Sequence, residues 1–260
     1  MPDYSIVTEL PQTWVTAEQL QRCYQRYAFA SAFVGGKQVL EIGSGGGQGI
    51  GLLREAGARS VTALDVDPSN VLTSQRTYGR DGGVAIVRGD AGHLPFREGS
   101  FGCILMFEVI YYLRDAAAAL RQCRSLLTRG GTLVVQSVNC EWSDFHPSPY
   151  AVRYFAAGEL AALLQETGFS AEMYSGFPVG ADLSVKTRCL SLLHRTANRL
   201  HLIPRSMKYK RYVRQLFFGG MVRMPARLQQ GLCPYSEPAP LDVAAYDPQF
   251  KVLFGVGRRP

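Results

Sequence analysis

The sequence lacks several features that would each have indicated a different class of protein. No apolar run reaches the roughly 18–20 residues that a membrane-spanning helix needs. The opening residues, MPDYSIVTELPQ, lack the basic region and apolar core of a secretory signal peptide, so we expect a cytoplasmic protein. The six cysteines form no CxxC or CxxxC pair, and no HxxxH or HExxH pattern occurs, so we expect neither disulfides nor a metal site.

Acidic residues are missing from one long stretch of the chain. Between Leu183 and Gln230 there are eleven Lys and Arg residues and no Asp or Glu, although the net charge of all 260 residues is only +7. The basicity therefore belongs to one segment and not to the whole protein. The chain is long enough for one large α/β domain with an elaboration.

Apolar segments of β type alternate with helical patterns along most of the chain. Predicted strands lie at 38–42, 60–65, 84–88, 101–109, 132–138, 170–176 and 250–257. Helical patterns follow the first, second and fourth strands and precede the sixth. Strands that alternate with helices at this spacing indicate a parallel sheet with crossover helices. We therefore predict a Rossmann-like α/β fold.

Glycines crowd the turn after the first predicted strand, in VLEIGSGGGQG (39–49). In a doubly wound sheet this turn borders the ligand. Two phosphate-binding patterns fail here, because Gln48 replaces the third glycine of a dinucleotide fingerprint and no Gly-Lys-Ser/Thr follows. Glu41, at the mouth of the turn, would also repel a pyrophosphate. Both residues argue against a nicotinamide oxidoreductase.

Three carboxylates stand at the ends of three successive predicted strands: Glu41, Asp65 and Asp90. Glu41 suits a cationic group such as an ammonium or a sulfonium. Asp65 is placed to accept hydrogen bonds from ribose hydroxyls, and Asp90 to accept one from an adenine amino group. A nucleoside with a cationic tail and no phosphate is S-adenosylmethionine, which we predict as the cofactor.

The same segments resemble the class I S-adenosylmethionine-dependent methyltransferases, in particular small-molecule enzymes of bacterial glycan and natural-product clusters. VLEIGSGGG resembles the family's first motif, TALDVD the second, and GDAGHLPF the motif at the adenine edge. SFGCILMFEVIYYL resembles the fourth strand with its following helix, and LLTRGGTLVV resembles the motif before the fifth strand. The resemblance covers about residues 20–177, and the last strand more loosely.

The resemblance implies a seven-stranded sheet in which six strands are parallel and the last is antiparallel. The core would comprise 1–177 and 249–260, with a helical lead within 1–36. The basic segment 178–248 lies between strands six and seven and would form a lid over the acceptor site, because an antiparallel last strand returns the chain to the cofactor face.

The resemblance also implies which residues contact the cofactor. One residue of the leading helix, Tyr24, Arg26 or Tyr27, would close over the methionine carboxylate, with Arg26 preferred. The carbonyl group of Phe107 would face the methionine amine. The complete predicted set is Tyr24, Arg26, Glu41, Gly43, Ser44, Gly45, Asp65, Val66, Asp90, Ala91 and Phe107.

The acceptor side is predicted from residues that follow strands four and five. Many members of the family carry Glu-His where this chain has Tyr111-Tyr112, so a base supplied by that histidine is absent. His146, Asp144 and Glu108 are the candidate general bases, although His146 also suits a loop cap before Pro147. The predicted acceptor contacts are Tyr111, Tyr112, Trp142, Tyr150, Arg211 and Arg214.

These residues predict in-line methyl transfer to a small-molecule acceptor, a saccharide or another secondary metabolite. The basic lid suits an anionic or lipid-linked acceptor, or peripheral contact with the inner membrane surface. It would equally suit a solvated basic helix face. Two alternatives stay open: an RNA or other nucleic-acid methyltransferase, which lacks its usual (D/N)PP(Y/F) motif here, and a non-catalytic cofactor-binding partner with the same fold.

Overall fold

The computed structural model describes residues 10–142, 145–178, 221–244 and 249–260. The strands in these ranges are β1 (Trp14–Thr16), β2 (Gln38–Ile42), β3 (Ser60–Asp65), β4 (Val84–Arg88), β5 (Phe101–Phe107), β6 (Leu127–Val138), β7 (Ser170–Pro178), β8 (Met221–Arg223), β9 (Ala239–Pro240) and β10 (Phe250–Arg258). The helices are α1 (Ala17–Val34), α2 (Ile50–Glu55), α3 (Pro68–Tyr78), α4 (Ala116–Leu126) and α5 (Ala157–Glu166), with a 3-10 helix at Ile110–Tyr112.

The main sheet has the strand order β4-β3-β2-β5-β6-β10-β7-β9. Strands β2 to β6 pair in parallel, and β10 runs antiparallel to both of its neighbours, β6 and β7. This confirms the predicted Rossmann-like sheet with an antiparallel last strand. The two-residue strand β9 adds an eighth member at the edge, and β1 pairs with β8 in a separate two-stranded sheet.

Helices cover both faces of the sheet and bury its central strands completely. On one face α1 and α2 pack over Val39 and Leu105, and on the other α4 and α5 pack over Leu40 and Ile104. All four of these strand residues are fully buried. Strands that are buried on both faces read as nearly continuous apolar runs, which explains why segments such as FGCILMF were recognisable as strands.

The fourth predicted strand, 101–109, ends two residues early, at Phe107. The reason is local: Glu108 has φ +57°, in the left-handed region that a side chain rarely adopts, so the chain turns sharply out of the strand there. The 3-10 helix follows at once. Glu108 is thereby placed at the carboxyl edge of the sheet.

Helix α1 forms the leading helix expected within 1–36. Its start is fixed by a capping box, in which the Thr16 hydroxyl accepts from Gln19 N at 3.1 Å and Gln19 Oε1 accepts from Thr16 N at 3.0 Å. The helix brings the ring of Tyr27 edge-on to Phe107, with 5.3 Å between centroids. A Cβ atom at Gly49 would lie only 1.9 Å from Cε1 of Tyr27, so the ring occupies the space that glycine leaves.

The described part of the insertion, 221–244, docks beside α1 and the glycine turn. Met224 and Leu228 are fully buried, and Leu228 N donates to Gln48 O at 2.8 Å. Residues 179–220 lie outside the described residues, and they include Arg211 and Arg214. The lid over the acceptor site therefore stays a prediction. Within the described ranges no helix is both long enough and apolar enough to cross a membrane.

The fit of Tyr27 against Gly49 can be tested by adding one methyl group. We expect Gly49→Ala to lower the free energy of unfolding by about 1–3 kcal/mol, because the new Cβ would displace the buried ring. Gly49 has φ −83°, so a loss would reflect crowding and not backbone strain. Urea denaturation followed by circular dichroism measures the change.

Gly82→Ala is the matched control for this substitution. No heavy atom lies within 4 Å of a Cβ placed there, so its unfolding free energy should change by no more than about 0.5 kcal/mol. Equal unfolding free energies of the two variants would show that the packing of the Tyr27 ring does not require glycine at position 49.

Candidate functional site

The glycine turn between β2 and α2 depends on three residues in the left-handed region. Gly43, Gly45 and Gly47 have φ values of +73°, +56° and +79°, which glycine adopts without steric cost. Leu64 O accepts from Gly43 N at 2.7 Å and from Ser44 N at 3.1 Å, which ties the turn to β3. The predicted cofactor residues Gly43, Ser44 and Gly45 thus form one fixed surface at the carboxyl edge of the sheet.

Glu41 lies beneath this turn and is 1% exposed. Its Oε1 accepts a hydrogen bond from the Tyr27 hydroxyl at 2.6 Å, whereas its Oε2 is buried without a hydrogen-bond partner. Burial is the largest influence and raises the pKa of Glu41 to about 7, although Tyr27 and the nearby charge of Arg26 lower it. A half-partnered buried carboxylate would gain most from a cation.

Asp65, at the end of β3, is buried and holds the glycine turn. Its Oδ2 accepts from Gly45 N at 2.8 Å, and its Oδ1 accepts from Asp67 N at 2.9 Å and Asn70 Nδ2 at 3.1 Å. Burial raises the pKa of Asp65, and these three N–H groups oppose that rise. A carboxylate offers about four lone-pair positions, so Asp65 retains one for a ribose hydroxyl.

Two further residues of α3 support the same region, and the sequence analysis missed both. Ser74 donates through its hydroxyl to Gly45 O at 3.1 Å. Asn70 is 1% exposed, and its Oδ1 has no partner. For Asn70 the signal in the sequence was DPSN (67–70), a capped helix start two residues after Asp65, in which the fourth side chain, that of Asn70, turns back towards Asp65.

Asp90 and Ala91 follow β4 in a tight loop at the same edge. Asp90 is exposed, its Oδ1 accepts from Gly92 N at 2.8 Å, and its backbone O accepts from His93 N at 3.0 Å. The loop geometry therefore presents the Asp90 carboxylate to solvent beside Ala91. Val66 follows Asp65 at the end of β3, and its carbonyl oxygen accepts a hydrogen bond from Arg88 Nε.

Tyr27 of the leading helix contacts the end of β2 through its hydrogen bond to Glu41. The hydroxyl of Tyr24 instead accepts from Gly231 N at 2.9 Å, which ties α1 to the insertion. Arg26 contacts Cys23 Sγ at 3.2 Å and lies 5.7 Å from the centroid of the Tyr27 ring. The predicted closure of Tyr24 or Arg26 over the methionine carboxylate stays a prediction.

Glu108 occupies the neighbouring strand end, after β5, in a network of its own. Its Oε2 accepts from the Tyr111 hydroxyl at 2.7 Å, and its Oε1 accepts from Gln136 Nε2 at 2.7 Å. Arg22 Nη2 lies 3.6 Å from Oε1. Burial, and then the charge of Glu108, raises the pKa of Tyr111 far above its usual value, so the phenol keeps its proton and donates.

Glu108 and the glycine turn are adjacent. Val109 packs against Gly43, where an added Cβ would lie 2.2 Å from Val109 Cγ2. Strands β2 and β5 are hydrogen-bonded neighbours in the sheet. The two carboxylates, Glu41 and Glu108, therefore lie at the carboxyl ends of adjacent strands.

Four aromatic side chains from the segments after β5 and β6 form a cluster next to Glu108. Tyr111 stacks on Tyr154 with 4.7 Å between centroids and lies 4.5 Å from Tyr112, and Phe145 meets Tyr154 edge-on at 4.7 Å. The predicted acceptor contacts Tyr111 and Tyr112 are thus brought together in one aromatic cluster.

The other predicted acceptor-side residues are less closely grouped. His146 is exposed, Tyr150 is half-buried with its backbone N donating to Ser148 Oγ at 3.3 Å, and Asp144 lies outside the described residues. Trp142 lies near Lys251, whose Nζ is 5.2 Å from the indole centroid. In the described part of the chain, no group of three or more His, Cys, Asp or Glu side chains could hold a metal.

Comparison with known proteins gives the chain its family. Residues 40–135 match the family described as a methyltransferase domain. A ubiquinone biosynthesis O-methyltransferase of Xanthomonas axonopodis pv. citri is 30% identical over 171 residues, which are 58% of this chain and 70% of that protein. The chain belongs to the S-adenosylmethionine-dependent methyltransferases.

Other members of this methyltransferase family agree. A probable S-adenosylmethionine-dependent methyltransferase of Mycolicibacterium smegmatis is 34% identical over 165 residues, and the match spans 62% of each chain, less than two thirds of that relative's length. A solved S-adenosylmethionine-dependent methyltransferase from Mesorhizobium loti has the same fold, with a TM-score of 0.57, 16% identity and coverage of 92% of this chain and 100% of that one.

The methyltransferase residues of this chain fit S-adenosylmethionine, the cofactor of the family. The unpartnered Oε2 of Glu41 offers a buried acceptor to a cationic ligand, and the glycine turn lets the backbone approach a ligand closely. Asp65 and the exposed Asp90 stand at the next two strand ends. These three carboxylates suit the cationic and hydroxyl groups of S-adenosylmethionine, which carries no phosphate.

The raised pKa of Glu41 has a consequence for stability that one substitution can isolate. The folded pKa of about 7 lies above the ordinary value of 4.5, so folding takes up a proton at intermediate pH. Stability from this group is therefore present below pH 4.5 and is lost as the pH rises through about 7. We expect the free energy of unfolding of the unmodified chain to fall by about 3 kcal/mol between pH 4.5 and pH 8 because of Glu41. Glu41→Gln should lack this fall.

Urea unfolding at a series of pH values measures this difference. Glu98→Gln, in an exposed loop, is the control and should follow the unmodified chain. If unmodified and Glu41→Gln proteins show parallel pH profiles, Glu41 is not titrating in a buried site.

Proposed function

We propose that the chain transfers a methyl group from S-adenosylmethionine to an oxygen atom of a small hydroxylated acceptor. The observation that carries this proposal is the pair of carboxylates at adjacent strand ends, in which Glu41 keeps one buried oxygen unpartnered and Glu108 is held at the neighbouring position. One suits a cationic cofactor and the other suits the proton of an acceptor.

The chemistry asks the protein mainly to position two molecules. When bound, S-adenosylmethionine supplies the methyl group: the acceptor oxygen bonds to the methyl carbon as the carbon–sulfur bond breaks and its electron pair stays on sulfur. A hydroxyl acceptor must also lose its proton, and a positioned carboxylate speeds such a step. The task of this chain is to hold that hydroxyl and take its proton at Glu108.

Glu108 is the best supported of the three candidate bases. Tyr111 and Gln136 fix both carboxylate oxygens by hydrogen bonds of 2.7 Å, and Arg22 forms an ion pair at 3.6 Å from Oε1. A carboxylate offers about four lone-pair positions, so capacity for an acceptor hydroxyl remains. His146 is exposed on a loop. Oxygen as the methylated atom is supported by the relative whose name includes O-methyltransferase.

The finer choice of acceptor rests on the basic segment. Its arginines, Arg211 and Arg214 among them, suit an anionic or lipid-linked saccharide or secondary metabolite. They also suit peripheral contact with an acidic membrane surface, where each Lys or Arg contributes about 1 kcal/mol. We keep both as proposals, because no described residue tests them.

Cofactor affinity should depend on pH through Glu41. At a pKa of about 7, the ionised fraction rises about tenfold from pH 6 to pH 8, and a cationic ligand binds the ionised form. We expect titration calorimetry to show S-adenosylmethionine affinity rising about tenfold over this range, with a proton released near pH 7.

The matched variants make this measurement specific. Glu41→Gln should bind at least about tenfold more weakly at pH 8, since it removes the charge that faces the cation, whereas Glu98→Gln should bind normally. No affinity of the unmodified protein for S-adenosylmethionine or S-adenosylhomocysteine would overturn the proposed function.

Methyl transfer itself can be followed with methyl-labelled S-adenosylmethionine and a fractionated extract of the native cell. We expect Glu108→Gln to lower the rate of labelling about 10²–10⁴-fold, the usual contribution of a positioned base, with cofactor affinity unchanged. His146→Ala compares the competing base. A rate lost with His146→Ala and kept with Glu108→Gln would assign the proton to the loop histidine instead.

A further inference from the structure

Several buried polar atoms have no hydrogen-bond partner, and most of them lie near the carboxyl edge of the sheet. Among the described residues they include Glu41 Oε2, Asn70 Oδ1, Gln136 Oε1, Trp142 Nε1 and Thr132 Oγ1. The first four lie near or after the carboxyl ends of strands, whereas Thr132 lies in the middle of β6. Because native structures leave few buried polar atoms unpaired, such a group at one edge indicates a ligand.

Gln136 is the member of this group whose amide also contacts Glu108, the proposed base. It is 3% exposed, lies in β6 and pairs with Phe107 of β5. Its Nε2 donates to Glu108 Oε1 at 2.7 Å. An ionised carboxylate only accepts hydrogen bonds, so the amide must turn its nitrogen to Glu108 and its oxygen away. The hydrogen bond to Glu108 therefore sets the direction of Gln136 Oε1.

Glu108 is itself held firmly. Its backbone N donates to Gln136 O at 2.9 Å, so the two residues are joined through both main chain and side chain. Its left-handed backbone, φ +57°, is a strained conformation of the kind that is found at functional sites. The hydroxyl of Tyr111 holds the second carboxylate oxygen at 2.7 Å.

This arrangement sets two hydrogen-bond acceptors side by side. Glu108 keeps lone pairs free, and Gln136 Oε1 belongs to the same amide group that donates to Glu108. A ligand with one donor would leave Gln136 Oε1 buried and unpaired, which costs free energy. A ligand with two neighbouring donors would satisfy both acceptors at once.

We infer that Gln136 is the second anchor for the methyl acceptor, and that the acceptor is a vicinal diol. This inference rests on the proposed function and names its substrate class. One hydroxyl donates to Glu108 and the adjacent hydroxyl donates to Gln136 Oε1. Only Glu108 takes a proton, because an amide oxygen accepts a hydrogen bond without removing the hydrogen. The product is therefore the monomethyl ether, with the hydroxyl on Gln136 retained.

A vicinal diol occurs both on aromatic rings and on saccharides, so the test uses one probe of each kind. Calorimetry compares 3,4-dihydroxybenzoate with 4-hydroxybenzoate, and methyl α-L-rhamnopyranoside with its 3-deoxy analogue, each titrated into the S-adenosylhomocysteine complex. We expect at least one diol to bind tenfold or more tightly than its partner. The pair that shows the difference identifies the source of the diol.

The variants assign that preference to Gln136. Gln136→Met is similar in size and removes the amide, so the preferred diol should weaken at least tenfold, to the level of its mono-hydroxylated or deoxy partner. Tyr111→Phe removes a different donor to Glu108 and should keep the diol preference. Thr132→Val removes an unpartnered hydroxyl from the middle of the same strand, and this variant should bind every probe normally.

Each outcome decides the inference. If neither diol binds the unmodified complex better than its partner, or if Gln136→Met keeps the preference, Gln136 is not an acceptor anchor. Should Gln136→Met fail to fold, as seen by thermal unfolding, the comparison of probes with the unmodified protein still decides. Binding of S-adenosylhomocysteine, measured first, separates a failure of this inference from a failure of the proposed function.

Discussion

Glu41 carries a carboxylate that is 1% exposed and hydrogen-bonded through one oxygen only. Burying a charge costs several kcal/mol unless partners compensate, and here the one strong partner, Tyr27, comes from a helix on the face of the sheet. The position of Tyr27 depends on the capped start of α1 and on the absence of a side chain at Gly49. The packing of α1 against the sheet thus keeps the Glu41 carboxylate buried at the carboxyl edge, although its burial is unfavourable.

Much of the sheet and of the cofactor half followed from local sequence. The strands were visible because burial on both faces makes them apolar throughout, and parallel strands place their carboxyl ends at one edge. Glu41, Asp65 and Asp90 could therefore be assigned to one site before any contact was known. The glycine turn was interpretable too, because the left-handed values at Gly43, Gly45 and Gly47 require the residue type that the sequence shows.

The contacts between elements were not visible in the sequence. Tyr24 and Tyr27 lie three residues apart on one helix face, and only the path of α1 across the sheet decides that Tyr27 meets Glu41 while Tyr24 meets Gly231, 207 residues along the chain. In the sequence, Gln136 is one polar residue within the apolar run TLVVQSV, and the sequence analysis did not single it out. Period-two alternation shows which face a strand residue occupies, but not that its amide would meet the residue after the neighbouring strand.

The residues proposed to bind the cofactor and those proposed to bind the acceptor come from different parts of the chain, and this separation bears on specificity. The first group is the turn after β2, Asp65 and α3, whereas the second comprises the ends of β5 and β6 and the residues after them. Tyr111 turns inward and fixes Glu108 by a hydrogen bond of 2.7 Å, and its raised pKa keeps the phenol protonated. A change of acceptor chemistry at these positions leaves the hydrogen bonds of the glycine turn untouched. The cofactor edge is therefore held largely by backbone hydrogen bonds and glycine conformations, whereas the proposed acceptor side is formed by side chains of Glu108, Tyr111 and Gln136.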